Sequence, residues 1–266
     1  MDSADQLPLA AQKKYLIDPT LELHELEALL EGDFAGTIAT LAEVKNETPE
    51  GWPMEDQVYD FSKFADALVA YLDGVSFAES LVLLQPISKN TDIFYPTVLG
   101  LVHKAVEDPA QRPHATAWLR EQEDSELAYA AADTFGRELT ELDPAETKKL
   151  ISDLPSGRTR EQVLMSSVEV LIESDVKRAA ELVNSVPNSS ETNFARSMIS
   201  ERLAPSAPDE AMPWALSVVD PDLRAMAIAN VAHSWQQLDE DSLQSWLESA
   251  ELEESDREMM RQMLGK

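Results

Sequence analysis

The most constraining feature of this chain is a spacing. Tryptophans stand at Trp118, Trp214 and Trp246, and the intervals between them are three times 32 residues and once 32 residues. The two intervening positions hold Leu150 and Leu182. Three residues before each column member come Ala115, Thr147, Ala179, Ala211 and Leu243, and one residue after come Leu119, Ile151, Val183, Ala215 and Leu247. A second apolar set follows at Ala131, Val163, Ala195, Ala227 and Met259, then at Phe135, Ser167, Ile199, Val231 and Met263, then at Leu139, Leu171, Leu203 and Trp235. Steps of three and four residues put each set on one helical stripe, so a unit reads as two amphipathic helices. Fixed self-similarity decides a fold before any local propensity does. Units are expected to start near residues 111, 143, 175, 207 and 239.

Breaker residues agree with this reading. Asp108-Pro109, Asp143-Pro144 and Asp220-Pro221 each combine an N-cap oxygen with a proline at the first helical position, where no backbone N–H is needed. Glu146, three residues after Asp143, makes a near capping box. LeuProSerGlyArg at 154–158 and ValProAsnSerSer at 186–190 separate the two helices of a unit. Upstream the register loosens. Phe77–Gln85 and Thr91–Glu107 read as a further helix pair joined by residues 86–90, and helices are also expected over 4–15, 20–30, 33–45 and 57–73. Residues 46–56 read as a loop. No segment alternates as a strand does, so the expected fold is all-α.

A stack of antiparallel helix pairs resembles the α-solenoid class that includes TPR and HEAT arrays. The segment AlaMetProTrpAlaLeuSerValValAspProAspLeuArg at 211–224, followed by Trp235 and Trp246, resembles more narrowly the repeat of uncharacterised bacterial proteins with an A-x-x-W-A helix before a D-P-x-x-R helix. The likeness covers about residues 108–266. This chain departs from it with Leu150 and Leu182 in the Trp column, and with Ala128, Thr192 and Asp256 in the column where Arg160 and Arg224 stand. The resemblance implies a right-handed α-solenoid, an α-α superhelix of antiparallel pairs with period 32. Residues 1–74 form an acidic N-terminal helical region, and residues 75–266 carry the helical hairpins, regular from about 108.

Composition limits the partners. The chain has 50 acidic and 21 basic side chains, a formal charge of −29. Such a field repels phosphates and anionic membranes, whose binding needs Lys and Arg to displace counterions. Nucleic acid is therefore not expected, and neither is membrane insertion, because no stretch approaches the ~18 apolar residues of a span. Residues 1–74 hold 16 acidic and 4 basic groups against 34 and 17 in the rest. Sparse lysine beside abundant Asp and Glu suits high salt, but a solubility surface is the better account. With no cysteine, disulfides, thiol nucleophiles and thiolate zinc sites are absent. MDSADQLPLA lacks the basic start and apolar run of a secretory signal. A cytoplasmic location is favoured, a periplasmic one if a leader has been removed.

Few residues suggest chemistry. His24, His103, His114 and His233 stand alone, with no H-x-x-x-H or H-E-x-x-H pair to put two imidazoles on one helical face. The glycines never cluster into a phosphate loop, and no G-x-S-x-G elbow occurs. Acidic runs at 220–224, 239–241 and 251–256 lack the calcium-loop pattern and read as solvated helix starts. Trp118, Trp214, Trp235 and Trp246 read as core between repeats, and Trp52, between Gly51 and Pro53, as a plug over the helices. No catalytic residue, cofactor-binding residue, metal ligand or cofactor is therefore named. The expected function is a non-catalytic scaffold for a protein or peptide with basic segments, since stacked helix pairs offer an extended binding surface. The alternatives are a hydrolase or lyase with a site assembled from distant acidic, Ser or His residues, and a self-assembling structural subunit.

Overall fold

The computed structural model describes residues 23–43, 62–122 and 125–250, together with 252, 256, 257 and 260. The helix expected at 4–15, the loop at 46–56 with Trp52, and the column members Met259 and Met263 lie outside the described residues. Among those described, every regular element is a helix and there is no strand. No helix among them is long and apolar enough to cross a membrane. The chain divides into two compact units, Met1–Leu119 and Arg120–Lys266.

In the first unit, α1 (Leu23–Gly32) and α2 (Phe34–Glu43) meet at Asp33, whose Oδ1 accepts the Gly36 N–H at 2.9 Å. α3 (Ser62–Tyr71) packs against α1 and against α5 (Thr91–Glu107), so helix packing crosses position 74. Between them run α4 (Phe77–Leu84) and a 3-10 turn at Gln85–Ile87, which carries Pro86. The Phe34 and Tyr71 rings stack with centroids 4.9 Å apart. Asn90 donates to the Leu41 carbonyl at 2.9 Å and so ties the turn before α5 to α2. The interior is apolar: Leu26, Leu41, Phe64, Leu68, Leu84, Ile93 and Val102 are buried.

The segment after α5 differs from expectation. Asp108 and Pro109 do not open a helix. They form a turn in which Asp108 Oδ1 accepts the Ala110 N–H and its carbonyl accepts the Arg112 N–H, and α6 begins at Arg112. The cap-and-proline pair supplied the turn that precedes the helix.

In the second unit, α7 (Glu126–Thr134) continues through a π-helical turn at Phe135–Leu139 and a last turn at Thr140–Leu142. Then come α8 (Pro144–Asp153), α9 (Arg158–Ser174), α10 (Val176–Asn184), a 3-10 turn at Ser190–Thr192, α11 (Asn193–Leu203), α12 (Pro208–Leu216), α13 (Pro221–Leu238) and α14 (Glu240–Ser249). The longer helices lie side by side in chain order, α7 on α9, α9 on α11 and α11 on α13, and α8, α10 and α12 each pack on the helix that follows.

Helices α6, α8, α10, α12 and α14 start at Arg112, Pro144, Val176, Pro208 and Glu240, at intervals of 32 residues. Four of the preceding residues share one backbone conformation: Asp143 (φ −150°, ψ 87°), Asp175 (−156°, 87°), Ala207 (−145°, 65°) and Asp239 (−160°, 91°). The three aspartates accept N–H groups of the first helical turn, which answers the orphan donors there.

The small-residue columns are the core. Ala115, Thr147, Ala179, Ala211 and Leu243 are all buried, as are Ala131, Val163, Ala195 and Ala227. In the tryptophan column Leu150 and Leu182 are buried too, but the tryptophans are less so. Of the four repeat-region tryptophans, only Trp235 is fully buried, while Trp118, Trp214 and Trp246 are half-buried. Trp118 meets Phe77 edge-on at 5.6 Å, Trp246 lies against Trp235 at 5.5 Å, and Trp214 lies under the Arg196 guanidinium. Three residues is most of a helical turn, so the residue at the closest helix approach is the small one and the large ring falls on the flank.

Candidate functional site

Arg120, Arg137, Arg158, Arg160 and Arg224 of the second unit each pair with a carboxylate 31 to 33 residues away. The centre of the main network is Glu191, a buried carboxylate in the 3-10 turn before α11. It accepts the Ser156 hydroxyl at 2.5 Å, the Gly157 N–H at 2.6 Å and Arg160 Nε at 3.0 Å, with Arg160 Nη2 on the same oxygen as Nε. Gly157 has φ 153° and ψ −175°, a conformation reserved in practice for glycine, and this aims its N–H at the carboxylate. Burial pushes the Glu191 carboxyl up, but the Ser156 and Arg160 hydrogen bonds, the Gly157 N–H and the Arg160 charge outweigh it and hold the group below its ordinary value. Glu161 is displaced the other way, first by burial and then by repulsion from Glu191, with Arg158 opposing.

A second network links α7 to α9. Asp133 accepts the Ser166 hydroxyl at 2.5 Å and Gln162 Nε2 at 3.0 Å, and its other oxygen accepts Arg137 Nε at 3.2 Å, while Arg137 also pairs with Glu169. Burial raises the Asp133 carboxyl, and Ser166, Arg137 and Gln162 more than offset this, leaving it lowered. The helices touch closely here. A Cβ on Gly136 would fall 2.6 Å from Ser166 Cβ and 2.7 Å from the Val163 carbonyl.

The arginine column behaves as a joint between successive helix pairs. Arg160 pairs with Glu191 and Arg224 with Asp256 at 3.4 Å. Arg196 is different. It is 8% exposed, donates to the Thr192 and Ser217 hydroxyls and stands over the Trp214 ring, and among the described residues no carboxylate pairs with it. Burial lowers its guanidinium below the ordinary value. In the 32-residue register it occupies the place of Ala132, Leu164 and Ile228, all core residues.

Of the network groups, Ser156 and Arg137 are exposed, and Asp133 and Glu169 are half-buried. Ser166 and Ser167 are fully buried, and the four histidines are exposed surface residues. His103 lies 4.0 Å from Glu107, and His233 Nε2 contacts Gln237 at 2.8 Å. Among the described residues no group of three or more His, Asp or Glu is placed to hold a metal ion. Two of the acidic runs serve as caps: Asp220 accepts the Asp222 and Leu223 N–H groups, and Asp239 that of Ser242, while most of the run at 251–256 lies outside the described residues.

An open concavity lies in the first unit, larger than one of about 170 Å³ between Thr140, Thr147, Leu171 and Arg178 in the second. A cleft of about 580 Å³ is bounded by the end of α3, the turn at Asp73–Val75 and the C-terminal half of α5 through Gln111. Lys104 Nζ crosses it to Asp73 at 2.8 Å and to the Val69 carbonyl at 3.4 Å, which lowers the exposed Asp73 carboxyl through hydrogen bond and charge. Glu107 and Asp108 complete an acidic rim, and Gln111 Oε1 accepts the Phe77 N–H at 3.1 Å. Next to the cleft, and sharing Val75 with it, Ala78, Glu79, Val82 and Leu83 line a shallow apolar surface along α4. Sequence periodicity gave α4 its helix but not its open face, because the residues on both sides of that helix are apolar.

Comparisons of the chain with protein families, with curated proteins and with solved structures return no match.

Proposed function

We propose that this chain is a non-catalytic binding scaffold built as a right-handed stack of antiparallel helix pairs with a 32-residue period from about residue 108, and that it recognises a protein or peptide through basic segments. The observation that carries this reading is how charge is used. Buried charges join neighbouring helices 31 and 32 residues apart, as in Arg160–Glu191 and Arg224–Asp256, while the open cleft carries an acidic rim whose one ammonium is already paired. Supporting it are the equally spaced helix starts and the common backbone conformation at 143, 175, 207 and 239. A net −29 accelerates encounter with cationic partners at low ionic strength and loses that reach as the Debye length shrinks from about 10 Å at 0.1 M salt.

The test is direct. Purified full chain should bind a lysine-rich peptide with an affinity that falls as salt is raised, and should hydrolyse neither a generic ester nor a phosphoester. Salt-insensitive binding would remove the electrostatic half of the reading. Turnover abolished by one Asp, Glu, Ser or His substitution would replace the scaffold with an enzyme.

A further inference from the structure

Helix α4 is apolar on two faces. Its sequence, FAESLVLL, buries Phe77 and Leu84 against the unit, yet Val82 is 74% exposed and Leu83 39% exposed. Polarity is locally inverted: Ser80 is fully buried with no hydrogen-bond partner for its hydroxyl, while valine and leucine face outward. Neighbouring exposed apolar residues on one helix face mark a surface that a partner can cover. Ala78 and Val82 are one i, i+4 pair on the outer side, Glu79 and Leu83 the next, and Val75 continues the strip into the cleft. Asp73, Glu107 and Asp108 line the cleft and Glu79 the strip, and the one ammonium among these lining residues, on Lys104, is paired with Asp73 at 2.8 Å. An occupant must therefore bring apolar side chains for the strip and positive charge for its border. A second copy of this chain fits poorly, because it would set acidic rim against acidic rim at −29 per chain, and an anionic lipid surface is repelled for the same reason.

We propose that the outer face of α4, with the adjoining Asp73–Asp108 cleft, docks a basic amphipathic helix from a partner protein. Its apolar residues at i, i+3, i+4 and i+7 lie along Val75, Ala78, Val82 and Leu83, and its flanking Lys or Arg side chains reach Asp73, Glu107 and Asp108. The site rests on the scaffold reading above and gives that reading a place and a class of ligand.

The probe is a labelled leucine–lysine peptide of about 14 residues, long enough for a helix of about 21 Å, with its leucines on one helical stripe. A control peptide of the same composition has them spread around the helix. Binding to the full chain is followed by fluorescence anisotropy for the wild type, for Val82→Ser with Leu83→Ser, and for Met226→Ser, which removes an exposed methionine of the second unit. The striped peptide is expected to bind the wild type and Met226→Ser alike and the double variant at least about tenfold more weakly. It should also bind better than the control peptide. Circular dichroism should show the double variant as helical as the wild type, since both side chains are exposed. Equal affinity for the double variant and the wild type overturns this site and leaves the scaffold reading intact. Salt-insensitive or absent binding of both peptides overturns the charge reading and the site with it. A concentration-dependent dimer that the double substitution abolishes assigns the strip to a second copy and overturns the proposed partner.

Discussion

At the scale of single residues, the informative side chains are the buried polar ones, because each must be matched or displaced from its ordinary ionisation. Glu191 shows how the sign works out. Its carboxyl, ordinarily at 4.5, is lowered in the fold, so its stabilisation is complete above that ordinary value and is lost as pH falls through the lowered one. Glu161 is raised, so it opposes folding as pH rises through its value. Glu191→Gln keeps the shape but removes the charge on which Arg160 and the Gly157 N–H converge. It should cost about 2–3 kcal/mol at pH 7, and the gap between the urea midpoints of wild type and variant should narrow as pH falls through the lowered carboxyl value. A gap that does not change with pH would show that shape rather than charge holds this turn.

At the scale of elements, closeness and capping decide. The π-helical turn at Phe135–Leu139 brings Gly136 against α9, where a methyl group would meet both a side chain and the Val163 carbonyl. Gly136→Ala should therefore cost about 1–3 kcal/mol, and thinning the facing side chain with Ser166→Gly should not restore the midpoint, because the carbonyl cannot retreat. The start of α12 offers the reverse case. Ala207 has nearly the backbone of Asp143, Asp175 and Asp239 but no side-chain acceptor. Ala207→Ser supplies one without adding charge beside Asp209 and Glu210, and should raise stability by about 1 kcal/mol. A thermal midpoint that stays put would show that the first-turn N–H groups of α12 are already satisfied by solvent.

At the scale of the whole molecule, 50 acidic against 21 basic groups make the folded chain repel itself. Helix-joining pairs such as Arg120–Asp153 at 2.8 Å and Arg158–Glu126 at 3.4 Å offset this locally, but exposed pairs contribute little each. Raising sodium chloride from about 0.02 to about 0.5 M shortens the Debye length from over 20 Å to about 4 Å, and should raise the denaturation midpoint of the full chain. A midpoint that falls with salt would mean that ion pairs stabilise the fold more than net repulsion weakens it. Opposite salt trends for stability and for peptide binding are the signature expected of this charge balance.

Much of the helical layout follows from the sequence alone. Thr91–Glu107, the Asp143 and Asp220 caps, and the burial of the Ala115, Thr147, Ala179, Ala211 and Leu243 column were legible because i, i+3, i+4 spacing and cap chemistry are local. What tertiary structure decided is everything that depends on a second helix. Trp118, Trp214 and Trp246 lie on the flank because helix approach selects the small residue three positions earlier, whereas the smaller Leu150 and Leu182 of the same column are buried. Glu191 is a hub because α9 and the turn before α11 meet around it, although the 31-residue interval to Arg160 was present to be noticed. The outer face of α4 is open because no described neighbour covers it, and a composition that is apolar on both sides cannot say which side a fold will leave exposed.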